Sequence, residues 1–149
     1  MLAAIRPDDW NFPLLVHVLG AMVLFGALLT GVSALAFAGG DGRQLRLGYW
    51  TLVLVGLPSY LAMWGGGHWI YSKEGLDESP IDSAWTTIGF IVADGGALLF
   101  VVGLILGGIG VRKLDADGGR GLLRATMVLS LVLLAGLVVA AWAMAAKPD

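Results

Sequence analysis

Residues 14–31 read LLVHVLGAMVLFGALLTG, an apolar run with one ionisable side chain, His17, about one turn inside its start. No Asp, Glu, Lys or Arg occurs anywhere in residues 10–40. A charge-free stretch of that length exceeds the ~20 residues a helix needs to cross a bilayer. Working outward, residues 47–72 and 125–146 are also free of charge, and residues 83–111 contain only Asp94. Four membrane spans are therefore predicted, near 12–38, 47–70, 84–111 and 122–146. Charged residues make up 13% of the chain, against roughly 25% in soluble domains. The predicted fold is all-α: an integral membrane four-helix bundle, up-down-up-down, forming a single transmembrane domain over residues 1–149.

Composition closes off several kinds of chemistry. Cysteine is absent, so disulfides, thiolate metal sites and thiol nucleophiles are excluded. The net charge of −2 and the lack of a basic groove argue against nucleic acid. No glycine-rich phosphate loop, no histidine pair at helical metal spacing and no serine, histidine and acid arrangement is present, which argues against hydrolase and phosphate chemistry. Ala36-Phe37-Ala38 resembles a signal-peptide cleavage site, but the preceding run is longer than the usual h-region and only Arg6 stands before it. The first span is expected to be retained.

The connections give the orientation. The first, residues 39–46, is short and glycine-rich, which predicts antiparallel packing of spans one and two. Connections one and three together hold Arg43, Arg46, Arg112, Lys113, Arg120 and Arg124, while the termini and connection two hold Arg6, Lys73 and Lys147. Positive charge accumulates on the cytoplasmic side, so both termini and the acidic loop of residues 72–83 are predicted outside. Trp10, Trp64, Trp69, Trp85 and Trp142 then form an outer aromatic belt, with Tyr49 and Trp50 at the inner interface. The Gly, Ala, Val and Leu content suits a high-GC bacterium, and the predicted location is the bacterial cytoplasmic membrane.

With that orientation, His17 near the start of span one and His68 near the end of span two reach the same outer level. An ionisable residue within a membrane span is a functional-site hypothesis by default. Two imidazoles at one level suit the axial positions of a haem b iron, or two ligands of a copper or zinc ion. Gly20 and Ala21, one turn inward from His17, and Gly65, three residues inward from His68, are expected to leave room for a macrocycle. Arg6 and Lys73, with Tyr71, lie where haem propionates would emerge. The competing interpretation makes both histidines interfacial anchors and the small residues ordinary helix packing. Neighbouring helices also pack only 8–10 Å apart, less than a bis-imidazole haem between facing helices needs. A wedge-shaped opening at the glycine-rich end of span two is one way out, and a single ligating histidine with water, Met63 or Met22 opposite is another.

In span three, Gly96, Gly103, Gly107 and Gly110 fall on one stripe, and Gly103 with Gly107 makes a GxxxG close-packing face. Asp94 lies about 15 Å into that span at 1.5 Å per residue. It reads as a proton relay, as the polar floor of a ligand cavity, or as a carboxyl hydrogen-bonded to a backbone carbonyl, Thr30 or Ser130.

The segment Leu15-Val16-His17-Val18-Leu19-Gly20-Ala21, with Phe25-Gly26 after it, resembles the first helix of small bacterial membrane proteins of the copper-resistance-D-like and related four-helix group. That resemblance implies haem or copper handling at the outer side of the membrane, and on motif grounds it extends only to His17. The expected function is a haem b-binding membrane protein for electron transfer or haem sensing, a redox component rather than a hydrolase. The alternatives are a non-catalytic small subunit of a larger membrane complex, or a proton-coupled transporter or copper-handling component using Asp94. The bilayer surrounds it in every case, as a homo-oligomer or as a subunit of a membrane complex.

Overall fold

A computed structural model of the chain describes residues 10–75, 84–116 and 118–146. Among the described residues every regular element is helical. Four long helices dominate: α1 (Asn11–Ala36), α2 (Gly42–Lys73), α3 (Ala84–Arg112) and α4 (Arg120–Ala146). Each is long and apolar enough to cross a membrane, as the charge gaps predict. The shortest has 26 residues, about 39 Å of helix against ~30 Å of bilayer hydrocarbon.

The helices overrun the apolar gaps in the sequence. α2 begins at Gly42, well before the expected residue 47, because Asp41 caps it: its carboxylate accepts the Arg43 backbone N–H at 2.9 Å. Arg43 and Arg46 therefore stand in the first turns of a helix that starts in water. Arg46 goes on to pair with Asp115 at 3.1 Å, tying α2 to the short 3-10 turn Leu114–Ala116.

Small residues bring the backbones together. The buried positions of α1 are Pro13, Gly20, Leu24, Ala27, Leu28, Gly31 and Leu35, a narrow stripe at three- and four-residue spacing that suits close helix packing. Along α2, Gly31 meets Leu52 and the Gly48 carbonyl, Gly20 meets the Met63 backbone, and Gly66 meets His17. The glycine stripe of α3 is buried as its spacing predicts. Gly103 faces Leu129, Gly107 faces Thr126 and the ring of Tyr49, and Gly110 faces Leu122 and Leu123. The Thr126 hydroxyl, itself fully buried, donates to the Gly103 carbonyl at 2.9 Å across this seam.

Two π-helical turns interrupt the spans. In α2, residues Leu52–Gly56 widen so that the Leu57 N–H reaches the Leu52 carbonyl. Pro58 follows, with no N–H to give, and the Ser59 hydroxyl lies within donating reach of the Val55 and Gly56 carbonyls, at 2.6 and 2.9 Å. The π turn thus stands immediately before the proline, one of the ways a helix accommodates it. In α3 the turn covers Ile91–Gly95, and the Tyr60 hydroxyl of α2 donates to the Ala93 carbonyl within it. Tyr60 also packs on Phe100, ring centroids 5.5 Å apart. Past this tyrosine, towards His68, side chains from all four helices surround an open space.

Candidate functional site

The glycine triplet of α2, unfavourable to a helix by about 1 kcal/mol per residue, builds the histidine end of the bundle. Gly66 and Gly67 lie under His17: a Cβ at Gly66 would stand 2.7 Å from the His17 backbone nitrogen, and one at Gly67 3.0 Å from its Nδ1. The gap these residues leave lets the His17 ring reach into α2, where Nδ1 bonds the Met63 carbonyl at 2.7 Å. A carbonyl only accepts, so Nδ1 carries the proton and Nε2 is left as the basic nitrogen.

His68 is fixed by the same logic. Its Nδ1–H donates to the Trp64 carbonyl one turn back at 3.0 Å. The ring lies against the Trp64 indole, with centroids 4.2 Å apart, and against Phe90 of α3 at 5.4 Å. Both imidazoles are therefore held by successive carbonyls of α2, with Nε2 as the basic nitrogen in each. This is how ligating histidines are oriented in metalloproteins, where the second ring nitrogen is satisfied by a carbonyl or carboxylate.

The two histidines line one cavity of about 250 Å³, with Trp64, Gly67 and Tyr71 of α2, Trp85 and Phe90 of α3, and Met144 of α4 among its walls. His17, Met63, Gly89, Ala93 and Met144 also wall an adjoining cavity of about 420 Å³, which continues past Ala21, Met22 and Phe25. Met22 and Phe25 are exposed, so this second cavity opens on the apolar outer surface. Its walls are apolar apart from the His17 ring.

Other expected site residues fall elsewhere. Gly20 leaves no room for a bound group: a Cβ there would stand 2.5 Å from the Met63 nitrogen, and the α2 backbone already fills the space. Gly65 faces open space within 4 Å but lines neither cavity. The room at the site comes from Ala21, Gly67 and Gly89. The backbone contact at Gly20 and Gly66 also rules out a planar group between α1 and α2, and the opening lies between α2 and α3 instead. Lys73 is exposed in the last turn of α2, and Arg6 lies outside the described residues. Asp94 is not the floor of either cavity, nor do Thr30 or Ser130 bond it; it is exposed on α3 and accepts the Trp64 indole N–H at 2.9 Å.

Among the described residues no group of three or more His, Cys, Asp or Glu converges as a metal site. The residues that sequence reasoning missed here are Gly67, Gly89, Phe90 and Met144. Trp64 stands four residues before His68, a helical spacing that signals a shared face; Phe90 and Met144 come from distant parts of the chain and give no such signal. No family model matches the sequence, and comparison with curated proteins and with solved structures finds no match.

Proposed function

We propose that this is a multi-pass protein of the bacterial cytoplasmic membrane that binds a b-type haem near the outer end of its bundle, for electron transfer or redox sensing. The observation behind this is the pair of imidazoles on one apolar cavity, each with its Nδ1–H taken by an α2 carbonyl and Nε2 left basic. The positive-inside distribution orients the bundle up-down-up-down with the termini and the histidine end outside. His17 and His68 are the residues to hold the iron, in the opening between α2 and α3. Trp64, Tyr71 and Phe90 supply aromatic walls, the last two with their rings nearly perpendicular, and Lys73, exposed in the last turn of α2, would be the residue to meet a propionate. Haem, when bound, supplies a one-electron couple whose potential depends on its axial ligands and the polarity around it. The chain's part is to fix the imidazole tautomers and to keep the site dry.

An absorption spectrum of the protein purified in mild detergent and titrated with haemin tests this. The expected result is a stoichiometric Soret band, lost or shifted in both His17→Ala and His68→Ala. A preparation that stays colourless, or a band indifferent to both substitutions, overturns the proposal.

One observation favours a second reading, a copper site. Met22, Met63 and Met144 line the same cavity as His17, and thioether sulfur beside imidazole suits Cu(I). Loading with Cu(I) under reducing conditions should give about one copper per chain and less in Met22→Leu and Met144→Leu. Unchanged copper in both variants rejects it.

A further inference from the structure

At the far end of the bundle from the histidines, the end of α1, the following turn and the start of α4 enclose a third cavity, of about 500 Å³. Its apolar wall is Leu35, Leu45, Leu123 and Met127, and its polar rim is Arg120 and Arg124. The turn between α1 and α2 holds the entrance open: Gly39 and Gly40 both adopt left-handed φ, +55° and +98°, so no side chain projects there. Arg120 spends one N–H on the Gly40 carbonyl at 3.3 Å, leaving the rest of its guanidinium donors. Arg124 makes no hydrogen bond or ion pair among the described residues, although a guanidinium offers five donors. Two guanidinium forks therefore stand over an apolar trough at the ends of α1 and α4, and among the described residues neither is engaged in a salt bridge.

We propose that this cavity binds an anionic phospholipid, with Arg120 and Arg124 on the phosphate and an acyl chain along Leu35 and Met127. The guanidinium fork matches phosphate oxygens, and basic pockets between membrane helices are where anionic headgroups settle. A free phosphate would use the rim and leave the trough empty. Phe37, between the lining residues Ala36 and Ala38, is 80% exposed, and a lipid would use both the rim and the apolar wall. This inference is independent of any group held at the histidines.

The test uses the full chain in neutral detergent, titrated with phosphatidylglycerol, with phosphatidylcholine and with inorganic phosphate, and reads bound lipid by native mass spectrometry and thermal stability. Phosphatidylglycerol should bind and raise the melting temperature, and the other two should not. Arg124→Gln, which removes no hydrogen bond or ion pair among the described residues, should weaken phosphatidylglycerol roughly fivefold, and Arg120→Gln with Arg124→Gln roughly thirtyfold. Arg43→Gln removes the same charge outside the cavity and is the control. Equal losses in Arg43→Gln and Arg124→Gln, equal binding of phosphatidylcholine, or the same stabilisation by inorganic phosphate each overturns the proposal.

Discussion

A Cβ on Gly66 would meet the His17 backbone nitrogen at 2.7 Å, whereas one on Gly65, a single step round the same helix, would meet nothing within 4 Å. The neighbour at Gly66 is main chain and cannot swing aside. Gly66→Ala should therefore lower stability by about 1–3 kcal/mol, the usual penalty for overpacking, and Gly65→Ala should leave it unchanged or slightly raised. Thermal melts of the two variants in one detergent check this, and equal losses would show that the triplet serves backbone freedom instead of contact. Tyr60 gives a second prediction at this scale. Tyr60→Phe keeps the ring on Phe100 and removes only the hydrogen bond to Ala93, so it should cost about 0.5–1.5 kcal/mol. A loss several times larger would mean that the π turn of α3 depends on that hydroxyl.

Helices α3 and α4 meet along glycine, and the Thr126 hydroxyl ties them across the seam. Thr126→Val keeps the shape and removes the donor. Because such bonds average well under 2 kcal/mol inside membranes, the variant should fold and melt only slightly lower, whereas Gly107→Leu should not assemble, since even a Cβ would lie 2.6 Å from the Tyr49 ring. Size-exclusion profiles of the two distinguish these outcomes. The elements were legible because charges avoid hydrocarbon: the gaps between them outline the apolar slab, and all four helices lie there. Their ends were less legible, since a helix continues into water once a side chain such as Asp41 caps it. The histidine pairing followed from span direction alone. What filled the space around it did not, because the two glycines under His17 and the glycines expected to make room look identical as letters. Only the rotation of α2, which brings Met63 onto Gly20, separates them.

The whole molecule packs α1 on α2, α3 on α4 and α1 on α4, with an open space among all four helices at the histidine end. The absence of cysteine makes its orientation easy to test. In cells expressing single-cysteine variants, a membrane-impermeant maleimide should label Glu74→Cys and leave Arg43→Cys and Gly118→Cys unlabelled until the membrane is broken. Labelling of Arg43→Cys in intact cells would invert the bundle and put the histidines inside.

The larger of the two histidine-end cavities has its rim at Met22 and Phe25, on the apolar flank of the bundle. A guest entering there arrives sideways, from among the acyl chains. Its supply is then governed by how strongly it dissolves in the bilayer, and a sparingly water-soluble molecule, enriched in the membrane, meets the site at far higher local abundance than its aqueous level suggests. Occupancy should accordingly follow the amount of guest per lipid, and dilution of the surrounding buffer should hardly change it.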